Sequence, residues 1–365
     1  MNERRLAIVK IGTSSVTDAH GHLDDAMLTK LASELADVRR SGWRVVLVLS
    51  GAVAAGMPAL GLERRPSDVK TLQAIAAVGQ PRLVARVSEL LAPHDVVAGQ
   101  VLLDPYDFVQ RSQYLHARDT LQRLLELGVL PVVNENDTVA DDEIRFGDND
   151  RLAALVAHLL GADVLLLLTD TGGLFTADPR VDANASLIEE IVAVDAALEA
   201  VAGGTGSARG SGGMASKLQA AKIAAWSGVR AVIAPAAGVD VIAGALDGRP
   251  VGTTLQPRVE RLPARKLWIA FAQGAEGRLV VDDGARRALI ERNTSLLPAG
   301  VRGVEGDFEA DAAVEVAGPD GEVFAKGLVR QSAGSLRASM GKHTSELPDD
   351  VAHTTIHRDD LVVLP

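Results

Sequence analysis

The chain has 365 residues, 47% of them hydrophobic and 3% aromatic, with a formal net charge of −11 and no cysteine. That length supports two domains with their own cores, and the Ala, Val and Leu content suits helices packed on a sheet. Disulfides, thiolate metal sites and cysteine nucleophiles are excluded, and the acidic balance disfavours nonspecific nucleic-acid or anionic-membrane binding.

The first apolar run, Leu6 to Ile11, is short and interrupted by Lys10, so it does not read as a signal peptide. The longest aliphatic run, Val164 to Leu168, is far too short to cross a bilayer, and a cytoplasmic protein without a membrane is expected. Because the global field repels anions, an anionic substrate needs local cations, so lysines beside Gly-rich turns are informative.

Leu6 to Ile11 reads as a buried opening strand, with Lys10 at its end beside the small-residue turn Gly12-Thr13-Ser14-Ser15. Lys10 has two readings: a cation for an anion held by backbone N–H groups, or an edge lysine reaching for water. From about Asp24 to Arg40 the residues Met27, Leu28, Leu31, Leu35 and Val38 share a helical face, and Gly42 ends the helix. Arg44 to Ser50 is the next strand. It runs into Gly51-Ala-Val-Ala-Ala-Gly56, either a helix start that meets an anion or an ordinary turn capped by Ser50.

A helical region spans about Ser67 to Leu91, with a break or kink expected at Gly79-Gln80-Pro81. Strands at 96–102, 129–133, 164–168 and 229–234 alternate with helices at about 114–126, up to 160 and from 214, which predicts a largely parallel sheet covered by helices on both faces. Between the strand at 129–133 and the next helix lies Asn134 to Arg151, with seven carboxylates (Glu135, Asp137, Asp141, Asp142, Glu143, Asp148, Asp150) and three amides. Polar side chains between a strand end and a helix start suit a ligand site in an α/β sheet, whereas a charge run alone suits a solvated loop.

Thr171 to Arg180 reads as a turn-rich loop fit for a lid or a nucleotide edge. The Gly-rich run Gly203 to Gly213 opens a helix whose first turn carries Lys217, a cation the macrodipole disfavours unless an anion is present. The combination predicts a phosphate site. It is not a P-loop, because Lys217 follows Ser216 and its glycines lie four and five residues back. Gly210-x-Gly212-x-x-Ala215 fits a dinucleotide fingerprint weakly and lacks the preceding strand, leaving a nicotinamide oxidoreductase as a distant alternative.

Beyond a Pro/Arg-containing linker, short strands are expected at 267–271, 278–281, 313–316, 323–329 and 361–364, with a turn at Pro319-Asp320-Gly321. From Ala264 to Pro365 there are 12 Lys/Arg against 16 Asp/Glu, a poor balance for an RNA surface. His20-Gly-His22 has metal-like spacing but no partner cluster.

Phosphoryl transfer fits these pieces: Lys10 and Lys217 supply cations from separate turns, while Asp148, Asp150 and Asp170 offer carboxylates to a metal or its waters. An acidic acceptor pocket suits an ammonium group, which Asp137 and Asp148 could grip, and a carboxylate acceptor needs no general base.

The motifs Val9-Lys10-Ile11-Gly12-Thr13-Ser14, Ser50 to Gly56, Asn134-Glu135-Asn136-Asp137, Gly147-Asp148-Asn149-Asp150, Leu168-Thr169-Asp170 and Gly212-Gly213-Met214-Ala215-Ser216-Lys217 resemble, in order and end to end, the amino-acid kinase family. Within it the chain is most similar to the members that phosphorylate glutamate. About residues 275–351 are similar to the PUA domain many of those carry, which sister kinases of N-acetylglutamate, aspartate or UMP are not expected to have.

The resemblance implies an α/β fold with a mainly parallel sheet sandwiched by helices over residues 1–256, a linker at 257–273 and a β-rich PUA-like domain at 274–365. It implies ATP-dependent phosphorylation of the side-chain carboxylate of L-glutamate, the first step towards proline. Lys10, Lys217 and Asp150 would be catalytic, and Ser50, Asp137, Asp148 and Asn149 would bind glutamate. Lys10, Thr169, Asp170, Ser211, Gly212, Gly213, Met214, Ala215, Ser216 and Lys217 would bind ATP. Magnesium, with Asp148 or Asp150 as candidate contacts, also follows from the resemblance. So do proline as feedback inhibitor, a homo-oligomer (dimer or tetramer) and handover to a glutamyl phosphate reductase. The glycine loop departs modestly from the family pattern at Arg209-Gly210-Ser211. A sister kinase acting on another carboxylate, or an RNA-binding protein working through the C-terminal module, remain the alternatives.

Overall fold

The computed structural model describes residues 5–364 except 19, 105, 106, 109, 139–148, 180, 183, 193, 195, 204–212, 259–261, 273, 347 and 349–351. Two compact units are present, Met1–Arg261 and Leu262–Pro365.

The first unit is built on an eight-stranded sheet. Its strands are β1 (Leu6–Ile11), β2 (Arg44–Leu49), β3 (Ala98–Leu103), β4 (Leu130–Glu135), β5 (Val164–Thr169), β6 (Glu190–Ile191), β7 (Arg230–Pro235) and β8 (Thr253–Leu255), in the order β3-β4-β2-β1-β5-β7-β8-β6. Pairing is parallel except between β7 and β8. All six residues of β1, β4 and β5 are buried, which is why they read as largely apolar and not as alternating, with polar residues only towards their C-terminal ends (Lys10, Asn134, Glu135, Thr169). Each fully buried Leu or Ile there contributes about 1.5–3 kcal/mol relative to exposure.

The helices are α1 (Thr13–Val16), α2 (Asp25–Arg40), α3 (Ala52–Gly56), α4 (Val69–Leu91), α5 (Arg111–Glu126), α6 (Asn149–Leu160), α7 (Ala196–Gly203), α8 (Met214–Trp226) and α9 (Val241–Leu246). Asp24 caps α2 by accepting from Met27 N, and Asp68 caps α4 by accepting from Thr71 N. On α2, Leu28, Leu31, Leu35 and Val38 are buried, as their spacing predicts. No helix among the described residues is long and apolar enough to cross a membrane.

Parallel register brings the C-terminal ends of the central strands to one edge: Ile11 pairs with Leu49 and with Leu168. From β1 the chain turns to β2 on one side, whereas from β5 it continues to the other, so a crevice opens between the ends of β1 and β5. Gly51, at φ 120, turns the chain from β2 directly into α3 at this edge.

Of the break or kink expected at Gly79-Gln80-Pro81, no break occurs: α4 runs continuously with Pro81 inside it. A Cβ on Gly79 would lie 1.8 Å from the Ala52 carbonyl oxygen, and one on Gly56 2.2 Å from that of Ile75. The two helices meet backbone to backbone, and this packing offsets the roughly 3 kcal/mol cost of an interior proline. It also carries Gln80 to the strand-end edge.

The second unit holds a five-stranded sheet of β9 (Gly277–Val281), β10 (Val301–Gly306), β11 (Ala313–Ala317), β12 (Val323–Val329) and β13 (Ile356–Val363), ordered β10-β9-β11-β12-β13. The turn predicted at Pro319-Asp320-Gly321 joins β11 to β12, with Gly321 at φ 81. Residues 267–271, expected as a strand, are helical: Ala264–Leu267 is an α-helical turn and Trp268–Ala272 a π-helical one. Ile269 is fully buried against Ala313 and Leu328, so this stretch is packed structure and not linker. A short apolar run does not distinguish a strand from a buried helical turn by its period.

Candidate active site

At the crevice, Lys10 is the next-to-last residue of β1, Asp150 the second residue of α6, and Lys217 lies in the first turn of α8. All three are buried, at 3%, 0% and 6% exposure. Lys10 Nζ pairs with Asp150 Oδ1, and Lys217 Nζ lies 3.1 Å from Asp150 Oδ2. Ser216 Oγ donates to the same Oδ2 at 2.9 Å. Burial alone would raise the pKa of Asp150, but the two ammonium groups outweigh it and hold the carboxyl well below the usual carboxylate range. Two lysines against one carboxylate leave a formal surplus of one positive charge in a desolvated place, the requirement for seating phosphate.

Lys217 sits where the helix dipole disfavours a cation, and Asp150 is the anion that compensates it. Lys10 is likewise no edge lysine reaching for water, because its ammonium faces inward to Asp150. Both oxygens of Asp150 face these cations, which argues against their coordinating a metal directly.

Beside this triad lies a cleft with about 580 Å³ of space free of protein atoms, including open solvent at its mouth. Ser14, Thr169, Asp170, Gly213, Met214 and Lys217 line it, together with the loop from Thr171 to Pro179. That loop is pinned by Thr253, whose Oγ1 accepts from Leu174 N at 2.8 Å. Gly173 allows the approach, since a Cβ there would lie 2.7 Å from Thr253 Oγ1. Thr169 is buried and donates to Asp170 Oδ1 at 3.2 Å.

On the other side of Asp150 a chain of amides runs to β2. Asn149 Nδ2 donates to Ser50 Oγ at 2.8 Å and to Asn134 Oδ1 at 2.7 Å. Asn134 Nδ2 donates to Gln80 Oε1 at 2.9 Å. Glu135 N donates to Asn134 Oδ1 at 2.9 Å and to Asn149 Oδ1 at 3.3 Å. Asp137 follows β4, half-buried, and burial pushes its carboxyl up to about 6 against the opposing pull of Arg65.

The fold thus brings Lys10, Ser50, Asn149, Asp150, Ser216 and Lys217 together, with Thr169, Asp170, Gly213 and Met214 at the cleft. Ala215 is exposed on α8 between them. Asp148, Ser211 and Gly212, and the acidic spacer at 141–143, lie outside the described residues. The sequence reading gave no role to Gln80 or Asn134. Asn134 was visible as an amide directly after an apolar strand; Gln80 had no signal beyond the Gly-Gln-Pro punctuation.

Residues 5–235 match the Amino acid kinase family and residues 277–350 match the PUA domain. The chain belongs to the amino acid kinase family. Its curated relatives include the glutamate 5-kinase of Mycobacterium ulcerans, 47% identical over 99% of this chain and 97% of the relative. The glutamate 5-kinase of Vibrio vulnificus is 43% identical over 100% of this chain and 97% of its own length. Among solved structures, the carbamate kinase of Giardia lamblia bound to AMP-PNP is similar in fold. Its TM-score is 0.52 at 18% identity, covering 71% of this chain and all of that one.

Proposed function

We propose that this protein transfers the γ-phosphoryl group of ATP to the side-chain carboxylate of L-glutamate, forming L-glutamyl 5-phosphate and ADP, the first step of proline biosynthesis. The observation that carries this reading is the buried Lys10–Asp150–Lys217 triad at the sheet crevice in a chain nearly half identical, end to end, to glutamate 5-kinases.

In this reading Lys10 and Lys217 bind the β- and γ-phosphates and stabilise charge on the transferring group. Asp150 holds both ammonium groups in place and does not accept a proton. One oxygen of the glutamate carboxylate forms the new bond to phosphorus as the bond to the β-phosphate oxygen breaks, so no general base is needed. Ser50 and Asn149 bind the substrate. Asp137 and Asp148 take its ammonium group, and Thr169, Asp170 and residues 211–217 border the nucleotide. Magnesium is part of the proposal and would neutralise phosphate charge when bound with the nucleotide. Asp170 at the cleft rim, Asp148 or waters are better partners for it than the doubly paired Asp150. Feedback inhibition by proline, assembly into a dimer or tetramer and delivery of the acyl phosphate to a reductase complete the proposal on family grounds.

The test is glutamate-dependent ADP release with hydroxylamine trapping of the acyl phosphate. Hydroxamate with glutamate is expected. Product only with aspartate or N-acetylglutamate would move the chain to a sister specificity.

A further inference from the structure

We infer that Gln80 is a positioning residue for the acceptor subsite, setting the direction of the hydrogen bonds that leave the Ser50 hydroxyl proton available to the substrate. The inference rests on the reading above, in which Ser50 and Asn149 bind glutamate.

The geometry is a one-way chain across four elements. Gln80 is buried in α4, Asn134 is buried near the C-terminal end of β4, Asn149 opens α6 and Ser50 directly follows β2. Asn149 uses both Nδ2 hydrogens, one on Asn134 Oδ1 and one on Ser50 Oγ. Ser50 therefore acts as acceptor within the chain, and its own proton has no acceptor among the described residues. A hydroxyl that accepts from an amide and keeps its proton free is set to donate to a carboxylate.

A primary amide can turn end for end, so the chain has a second, reversed state that the surrounding groups must disfavour. If Asn134 turned, its Nδ2 would face Asn149 Nδ2, and Asn149 would have to turn as well. Asn149 Oδ1 would then face Ser50, whose proton would be drawn back into the protein and lost to the ligand. Two groups oppose this reversal. Glu135 N, a backbone donor that cannot reverse, donates to both amide oxygens, and Gln80 Oε1 accepts from Asn134 Nδ2, so reversal would require the Gln80 amide to turn as well. Without Gln80's oxygen a buried N–H₂ loses its partner, which favours reversal. Gln80 reaches this place because Gly79 lets α4 press on α3. Among the described residues, none of Ser50, Gln80, Asn134 and Asn149 lines the cleft beside the triad, so the effect is expected on one substrate only.

The experiment compares steady-state kinetics of the full-length protein with Gln80→Met, Gln80→Glu and Ser50→Ala, each verified by circular dichroism and melting temperature. Gln80→Met keeps the length and removes the acceptor; it is expected to raise KM for glutamate about tenfold while KM for ATP stays within about twofold. Gln80→Glu keeps an acceptor oxygen and is expected to return KM for glutamate to within about threefold of the wild type. Equal changes in both KM values, no change in either, or a Gln80→Glu variant as impaired as Gln80→Met would overturn the inference. Ser50→Ala separates the two levels. If it raises KM for glutamate but Gln80→Met does not, the role of Gln80 fails and the subsite reading stands. If Ser50→Ala leaves KM for glutamate unchanged, the subsite reading fails and the inference with it.

Discussion

Lys217 Nζ lies 3.1 Å from Asp150 Oδ2, across 67 residues of sequence, and Lys10 holds the other oxygen of the same carboxylate. Neither lysine is placed by its own element alone. Lys10 is the fifth residue of a strand buried on both faces, and Lys217 stands in a first helical turn, and each has its counter-charge supplied from a third element. Asp150 serves both.

Replacing Asp150 with Asn should therefore affect two properties. Stability should fall by about 3–5 kcal/mol, the usual cost of stranding buried charges. Turnover should fall as well, because the ammonium groups lose their fixed position. Urea unfolding combined with the hydroxamate assay measures both, and an active, fully stable variant would contradict the role given to Asp150.

The same residue sets an acid limit. Its folded pKa lies below the unfolded value of about 3.9, so the unfolded chain binds more protons as pH falls through that region. The stabilisation is fully present above the unfolded value and is lost as pH drops towards the folded one. The stability difference between wild type and Asp150→Asn should be constant from neutral pH to about 5 and shrink below about 4. Urea midpoints measured across that range check the sign.

Asp137 behaves in the opposite sense. Burial pushes its carboxyl up to about 6, so its contribution to stability is present at low pH and is lost as pH rises through that value. Asp137→Asn should stabilise the ligand-free protein at neutral pH. A substrate ammonium group favours the carboxylate, so glutamate binding near pH 6 should release protons, and much less at pH 8. Calorimetry in buffers of different ionisation enthalpy reads this release, which Asp137→Asn should abolish.

Lys10→Met and Lys217→Met should each lower kcat on the order of 10²–10⁴-fold, the range for removing one preorganised charge from a transition state. Near-normal turnover in both would contradict the phosphate-clamp role.

Gly79→Ala should destabilise by about 1–3 kcal/mol or more, because its Cβ would meet the Ala52 carbonyl at 1.8 Å and the backbone would have to move. The shift would also carry Gln80 away from Asn134, so KM for glutamate should rise in the fraction that folds.

The second unit is not expected to bind RNA strongly. Arg265, Arg278, Arg286, Arg302 and Arg330 each pair with a carboxylate of the same unit. Titration of the full-length protein with single-stranded RNA should give no binding tighter than the nonspecific range of about 10⁻⁴–10⁻⁶ M.

The sequence by itself determined the parts that local chemistry controls. Apolar runs such as Leu6–Val9 and Val164–Leu168 marked doubly covered strands, and the alternation with amphipathic helices marked a parallel sheet. Lysines beside small-residue turns marked the two candidate phosphate cations, Lys10 and Lys217. Tertiary structure decided what depends on groups distant in sequence. That Lys10 and Lys217 share Asp150 requires β1, α6 and α8 to meet at one edge, and that the helix containing Pro81 continues and Gln80 ends an amide chain from Ser50 requires α3, α4, β4 and α6 to meet there too. The stretch 267–271 became helical because Ile269 found a buried place against Ala313 and Leu328, which a short apolar run leaves undecided. Hydrogen-bond direction is the last such property: an amide reads the same in sequence whichever way it faces, and only its neighbours in space orient it.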